Sequence, residues 1–355
     1  MPTTYRAGII GCGSISGAHA RGYQGLDNVE IVAIADPVRE ALNQFGQQFG
    51  IQKHYLDARQ MLDEENLDIV SIGTWHKLHA PITIAACARR PKAILCEKPM
   101  GTNLGECDEM LIAARRNEVK LAIAHQRRFN PAWNRARELI LEGAIGEPRQ
   151  VNARGGQGLL NDCSHLLDMM RYVMGDPDAE WVLGNIERKT DRYERDIRIE
   201  DRSGGIIRFS NGAIGQLLQE LGGPNYQGGI FYGTDGIIEL DEQKVRLLHN
   251  RAAGWEEHPG EGEDPHIAQA RELVAWIEGE VEHRGEAQNG RAAIEIIMAI
   301  YESARLHEVV SLPVRTMCSP LDEMIDQGDL PVERPGRYDI RAFLLRGESM
   351  QPEPE

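Results

Sequence analysis

Three short segments of this 355-residue chain carry residue types and spacings that suit chemistry. Glu97-Lys98-Pro99 sets an amine beside a carboxylate, and such an ammonium can hydrogen-bond a reacting oxygen and stabilise negative charge developing there. Asp162-x-x-His165-x-x-Asp168, with Asn161 just before it, puts an imidazole one helical turn from a carboxylate on either side. A histidine that titrates near neutrality can take a proton from a hydroxyl or return one. The Asp-His-Asp spacing also suits a metal, but nothing else in the chain supplies a converging ligand, so no metal is expected. Gly11-Cys12-Gly13-Ser14-Ile15-Ser16 works through its backbone instead. The first glycine permits a tight turn, the second lets N–H groups approach a diphosphate, and a following helix offers its positive end. Ser16 takes the third position of that fingerprint, small enough for close packing, with Gly17 behind it.

These residues need elements to hold them. Apolar runs at 7–10, 29–35, 68–72, 93–96 and 121–124 predict strands buried on both faces of a parallel sheet. Helix-like stretches at 38–49, 79–88 and 104–115 connect them, which predicts a doubly wound Rossmann sheet with right-handed crossovers. Ligands of such sheets bind outside the carboxyl ends of the strands. Gly11, Gly13, Ser14 and Ile15 follow the first run, and Asp36 closes the second. An aspartate there accepts from ribose hydroxyls and repels a 2′-phosphate, so NAD is expected rather than NADP. Thr74, His76 and His79 follow the run at 68–72, Glu97 and Lys98 the next, and Gln126 and Arg127 the last. All but Arg127 are candidate cofactor contacts, with Lys98 at the nicotinamide end. Arg127 is a candidate substrate contact, and His79 is also expected to orient the start of its helix.

After His125 the pattern changes. Asn130-Pro131 predicts a helix start and Gly143 its end. A strand and loop at 146–158 lead to a helix at 162–174, whose apolar side is Leu166, Met169, Met170 and Val173. The stretch 181–249 is strand-like, with turns expected at Ser203-Gly204-Gly205, Asn211-Gly212 and Asp235-Gly236, so this α+β part contains a largely antiparallel open sheet. Two helices follow. Asp264-Pro265 caps the first, whose apolar stripe is Ile267, Ala270, Leu273, Val274 and Ile277; the second carries Ile297, Ile300, Tyr301 and Ala304. The expected division is a Rossmann domain over 1–125, a substrate and oligomerisation domain over 126–317, and an extension over 318–355 that frays from Gly347.

Composition excludes several functions. A net charge of −16 repels phosphate backbones, so nucleic acid is not an expected partner. No run reaches the roughly 20 apolar residues of a membrane span, and the start of the chain has no signal-peptide pattern. Cys12, Cys87, Cys96, Cys107, Cys163 and Cys318 are scattered without a C-x-x-C pair, as reduced thiols of a cytoplasmic protein would be. Trp133, Trp181, Trp255 and Trp276 suit core or interface positions as well as sugar platforms.

Taken in order, Gly11-x-Gly13, Asp36-Pro37, Thr74 with His79-Ala80-Pro81, Glu97-Lys98-Pro99 and Ser164-His165-Leu166-Leu167-Asp168 resemble the Gfo/Idh/MocA oxidoreductases, which include inositol dehydrogenases and glucose-fructose oxidoreductase. The resemblance runs from about residue 5 to about residue 315. It implies a sugar, cyclitol or glycoside substrate and a homodimer or homotetramer formed through the open sheet. It also implies that Lys98 hydrogen-bonds the reacting oxygen and His165 is the acid/base histidine, with Asn161, Asp162, Asp168 and Arg127 around the substrate. Three departures stand out. Thr74-Trp75-His76 replaces a common Thr-Pro-Asn, Asn161 stands where an aspartate is common, and the segment from Cys318 runs past the usual end. Two rivals stand beside it: a redox glycosidase or lyase that uses the same lysine and cofactor through transient oxidation and elimination, and an NAD-binding sensor without catalysis, against which the retention of Lys98 and His165 argues.

Overall fold

Short, mostly apolar runs, buried on both faces at its centre, build the first sheet. The computed structural model describes residues 3–223, 226–251, 253–344 and 350–352. Its first elements are β1 (Tyr5–Ile10), α1 (Ser14–Gln24), β2 (Val29–Ala35), α2 (Arg39–Phe49), β3 (Lys53–Tyr55) and α3 (Ala58–Glu64). They continue with β4 (Ile69–Ile72), α4 (His76–Cys87), β5 (Ala93–Cys96), α5 (Leu104–Asn117) and β6 (Lys120–Ile123). All six strands are parallel in the order β3-β2-β1-β4-β5-β6, the doubly wound arrangement expected. All four residues of β4 and of β5 are buried, so alternation is absent there. The polar edge strand β3, Lys-His-Tyr, has no apolar run to announce it. Helix α4 starts at His76, ahead of the expected residue 79, and takes Pro81 inside it.

The second set is α6 (Pro131–Leu141), β7 (Pro148–Gly155), a π-helical turn at Gly158–Cys163, α7 (Ser164–Val173), β8 (Ala179–Glu187), β9 (Thr190–Glu194) and β10 (Ile197–Arg198). It goes on with β11 (Arg202–Phe209), β12 (Ile214–Glu220), β13 (Gly229–Gly233), β14 (Gly236–Leu240), β15 (Lys244–His249) and β16 (Glu256–Pro259). Then come α8 (Pro265–Glu278), α9 (Ala287–Leu306), β17 (Val310–Ser311), α10 (Pro320–Gln327), β18 (Arg334–Asp339) and β19 (Gln351–Pro352). The large sheet runs β16-β15-β14-β13-β7-β12-β11-β8-β17 and is antiparallel except where β7 meets β12. Along β11 and β12 buried and accessible residues alternate, so one face is covered and the other open, with Leu183, Ile206 and Leu218 exposed on it.

Asn130 caps α6 as expected, its side chain accepting from Ala132 N at 2.9 Å and Trp133 N at 3.2 Å. Asn211-Gly212 and Asp235-Gly236 do join hairpins. Ser203-Gly204-Gly205 does not turn: it lies within β11. The glycine there serves close packing, since a Cβ on Gly205 would lie 2.8 Å from Ile300 of α9.

The compact units are not continuous along the chain. Residues Met1–Gly101, Glu106–Phe129 and Glu263–Arg291 form one unit; Thr102–Gly105, Asn130–Gly262 and Ala292–Glu355 form the other. Helix α8 thus belongs with the first sheet, because the apolar stripe through Ala270, Leu273 and Val274 joins that core. Close approach locks it there: a Cβ on Gly22 of α1 would sit 2.7 Å from the His266 carbonyl oxygen. His283 fastens the return. Its Nδ1 accepts from Gly285 N at 3.0 Å, so Nε2 carries the proton and donates to the Gln269 carbonyl at 3.3 Å. Burial holds this imidazole down to about 4.

The extension from Cys318 folds into the second unit, where β18 joins the small sheet β10-β9-β18-β19, parallel to β9 and β19. Of the tail expected to fray, 347–349 and 353–355 lie outside the described residues, whereas Gln351 and Pro352 pair with Tyr338 and Asp339. Among the described residues no helix is long and apolar enough to cross a membrane. The six cysteines are free.

Candidate active site

In the first unit the expected residues gather at the carboxyl ends of one sheet. Gly11 turns the chain out of β1 with φ +92°, and a Cβ there would lie 2.6 Å from the Gly73 carbonyl oxygen, so no other residue fits. Gly13 is the N-cap of α1 and makes no side-chain cap; a Cβ on it would meet nothing within 4 Å. Ser14 and Ile15 open the helix, and Ser14 is exposed. Ser16 is fully buried and donates to the Gly73 carbonyl at 3.4 Å, which is how a small third residue lets α1 pack on β4. The open backbone at Gly13 and the uncapped N–H groups of α1 fit a diphosphate.

Asp36, half-buried at the end of β2, is held by two amides: Oδ2 accepts from Cys12 N at 2.9 Å and Oδ1 from Val38 N at 2.8 Å. Each oxygen keeps a lone pair, which suits ribose hydroxyls. The Thr74 hydroxyl oxygen is buried and finds no hydrogen-bond partner among the described residues. A buried hydroxyl of that kind is costly unless a ligand pairs with it, which again fits a bound cofactor. His76 is buried at the first position of α4, with its ring centroid 5.8 Å from that of His79. His79 lies between two backbone carbonyls of the site, its Nδ1 2.7 Å from that of Pro99 and its Nε2 3.1 Å from that of Thr74, and as a neutral ring it donates to one of them. Burial holds its imidazole below the ordinary value, against the pull of those carbonyls.

Glu97 is buried beside Lys98. One oxygen accepts from His19 Nε2 at 2.9 Å and the other from the Lys98 amide at 3.1 Å. The relay continues inward: Ser71 Oγ lies 2.8 Å from His19 Nδ1 and 3.1 Å from the Tyr23 hydroxyl. Burial pushes the Glu97 carboxyl up, but the His19 hydrogen bond and the nearby Lys98 charge outweigh it and hold it below the carboxylate range. Lys98 itself is half-buried and joined to Pro99 by a cis peptide. Gln126 and Arg127 lie half-buried in a 3₁₀ turn after β6, where the neighbouring Arg128 is almost wholly buried and donates to the Arg284 carbonyl at 3.0 Å.

His19 was not among the expected site residues, although a signal existed. It shares the buried face of α1 with Ser16, Ala20 and Tyr23 at helical spacing, and a histidine in such a stripe needs polar partners.

The second unit gathers the other candidates. Asn161 and Asp162 lie in the π-helical turn, and His165 and Asp168 lie in the first turns of α7; all four are buried. The turn itself was expected to be part helix and part loop. Sequence reading also missed two residues that contact this turn or the residue before it, Glu200 and Arg341. Leu159 N donates to Glu200 at 2.8 Å, and Arg341 donates to the Gln157 side-chain oxygen at 2.5 Å. Neither has a local pattern to mark it. Among the described residues, no group of three His, Cys, Asp or Glu is arranged to hold a metal.

Comparison with known proteins agrees with this architecture. The sequence profile of an oxidoreductase family with an NAD-binding Rossmann fold matches residues 5–125, and that of the family's C-terminal alpha/beta domain matches 137–312. The chain is 28% identical over 257 residues to a myo-inositol 2-dehydrogenase of Thermotoga maritima, covering 68% of this chain and 74% of that protein. It is 34% identical over 257 residues to a trans-1,2-dihydrobenzene-1,2-diol dehydrogenase of Mus musculus, covering 67% and 74%. In fold it matches levoglucosan dehydrogenase in complex with NADH and levoglucosan, with a TM-score of 0.79 at 24% identity over 88% of this chain and 100% of that one. With a Gly-x-Gly turn, an amide-held aspartate and a Glu-Lys-Pro turn at the carboxyl ends of one sheet, and both halves of the family matched, this chain belongs to the Gfo/Idh/MocA family and is an NAD-dependent oxidoreductase.

Proposed function

We propose that this enzyme oxidises a secondary hydroxyl of a sugar, cyclitol or glycoside, with Lys98 and His165 handling the substrate oxygen. The observation that carries the reading is the anchoring of Lys98: its backbone is fixed by buried Glu97 at the carboxyl edge of the sheet that binds NAD. Gly11, Gly13, Ser14 and Ile15 hold the diphosphate, Asp36 the adenosine ribose, and Thr74, His76, Glu97, Lys98 and Gln126 the nicotinamide half. His79 supports that half by packing between the Thr74 and Pro99 carbonyls and donating to one of them. NAD, when bound, supplies the hydride acceptor.

The protein's own residues manage the proton and the charge. The Lys98 ammonium donates to the substrate hydroxyl oxygen and stabilises the negative charge that grows as its proton leaves. His165 accepts that proton as general base. Asn161, Asp162, Asp168 and Arg127 bind neighbouring hydroxyls. The named relatives support the substrate class, since one is a myo-inositol dehydrogenase and a structural neighbour holds levoglucosan. The exposed Leu183, Ile206 and Leu218 on the open sheet support a homodimer or homotetramer, and the free cysteines suit a cytoplasmic enzyme.

The test separates chemistry from binding. Purified protein is given NAD with myo-inositol, levoglucosan and a panel of other polyols and glycosides, with NADH absorbance and product identity both followed. Lys98→Met and His165→Ala should each lower turnover of the best substrate by about 10²-fold or more. Their NAD affinity, measured by calorimetry, should change far less. Near wild-type turnover in either variant overturns the assignment of roles. Aglycone release without net NADH would instead favour the elimination chemistry.

A further inference from the structure

The turn that carries Asn161 and Asp162 is unusual in being both buried and irregular. All six residues of its π-helical segment, Gly158–Cys163, are buried. Gly158 enters it with φ +84°, and a Cβ on Gly155 of β7 would lie only 2.7 Å from the Cys163 sulfur, so the turn is pressed against the sheet. Wide helical turns of this kind recur at functional sites, and their first N–H groups lack partners within the helix. Here one such donor, Leu159 N, is satisfied by a side chain 41 residues further along. Glu200 accepts it at 2.8 Å.

Glu200 is itself fully buried, and its other oxygen accepts from the Tyr301 hydroxyl at 2.6 Å; Tyr301 is also fully buried, on α9. The next residue fixes the backbone from which Glu200 reaches. Asp201 accepts from Thr190 N at 2.9 Å and from Arg192 at 2.5 Å, and also from Lys189 N. A carboxyl group is expensive to keep in such a place, and an apolar residue of similar volume would pack there without that cost. What the side chain provides, and an apolar residue would not, is a fixed polar partner for the turn and for α9 at once.

We propose that Glu200 is a positioning residue of this enzyme: it braces the π-helical turn from within and so sets where Asn161, Asp162 and His165 meet the substrate. This rests on the reading of those three residues as substrate contacts and general base. Burial pushes the Glu200 carboxyl above its ordinary range, as expected of a group held by neutral donors and not by a cation.

The test uses the full-length protein loaded with NAD. In Glu200→Leu, amide hydrogen exchange of peptides covering 158–165 should speed up at least about tenfold, with peptides from β1 to β6 unchanged. With the best substrate of the polyol panel, KM should rise and kcat fall, together about 10²-fold, as a misplacement on the order of an ångström would cause. NAD affinity should stay as in the wild type. Glu200→Gln keeps an acceptor for Leu159 and should restore most of both readouts, which a loss of stability alone would not explain. If Glu200→Leu fails to fold, Glu200→Asp replaces it: one methylene shorter, it cannot reach both partners and should give an intermediate change in both measurements. Wild-type exchange over 158–165, or unchanged kcat and KM in the folded variant, overturns the proposal. His165→Ala serves as the separate control. If it retains turnover the reading of the site fails, while the exchange data still report whether Glu200 holds the turn.

Discussion

Two buried glutamates, one in each unit, hold the backbone of a candidate site, and they do it with opposite electrostatics. Glu97 accepts from the Lys98 amide and from His19; Glu200 accepts from the Leu159 amide and the Tyr301 hydroxyl. Both are almost completely removed from water. Burial pushes each carboxyl up, yet Glu97 ends below its ordinary value and Glu200 above it. The difference lies in the partners. An imidazole N–H and a nearby ammonium favour the charged form, whereas a phenol and a peptide N–H offset only part of the desolvation. Burial alone therefore does not predict the state of a carboxyl; the donors beside it decide.

The comparison is broken most forcefully by removing each acid. Glu97→Leu strands the His19 Nε2–H and the Lys98 N–H in the protein interior, and should cost about 3 kcal/mol of unfolding free energy. It should also weaken NAD affinity and turnover together, because Lys98 loses its anchor. Glu200→Leu strands two uncharged donors and should cost about 2 kcal/mol, with NAD affinity intact. Urea denaturation with calorimetric NAD titration of both variants decides this. Equal effects of the two on NAD affinity would show that the two acids do not serve separate sites.

A smaller effect sharpens the contrast by pH. Because the Glu97 carboxyl is held low in the folded protein, its stabilisation is fully present above the unfolded value near 4.5 and is lost as pH falls through the lower folded value. Glu200 is held high, so its stabilisation is present below about 4.5 and is lost as pH rises through the raised folded value. The destabilisation by Glu97→Gln should therefore shrink on acidification, and that by Glu200→Gln should shrink as pH rises. Chemical denaturation from pH 3 to pH 8 gives both slopes, and slopes of the same sign would refute the electrostatic distinction.

The same two residues show what was legible in the sequence. The turn at Gly11, the strand ends and the place of Glu97-Lys98 follow from local patterns, because a positive φ, a tight approach or a buried strand leaves its mark within a few residues. Helix α8 was legible as buried but not as to its partner: an apolar stripe records burial, and Ala270 and Leu273 chose the first core. Gly204-Gly205 was misread because glycine marks the absence of a side chain, in a turn or, as at Gly205, beneath Ile300. Glu200 was invisible. Its partners lie 41 and 101 residues away, and an acid pair between short strands reads as surface until the fold closes over it.

The smallest expected effect concerns the outer side of the same turn. Arg341 belongs to the extension beyond residue 312, past the part of the chain that matches the family. It donates to the Gln157 side chain, just before the π-helical turn, and its Nε lies 3.6 Å from buried Glu194. Asp339 fixes it by accepting from the Arg341 amide at 2.7 Å and from Asp196 N at 2.9 Å. Arg341 is half-buried and Gln157 is too, so water can replace much of what the guanidinium gives. Arg341→Ala should therefore raise the substrate KM only a few-fold, on the order of a single hydrogen bond, with kcat and NAD affinity close to wild type. Steady-state kinetics on the best substrate measures it. A KM effect as large as that of Glu200→Leu would mean that the extension, and not the buried acid, carries most of the restraint on Asn161 and Asp162. An unchanged KM with a lowered midpoint of thermal unfolding would confine the extension to stabilising the small sheet of β9, β10 and β18, and leave Glu200 as the brace that the substrate residues depend on.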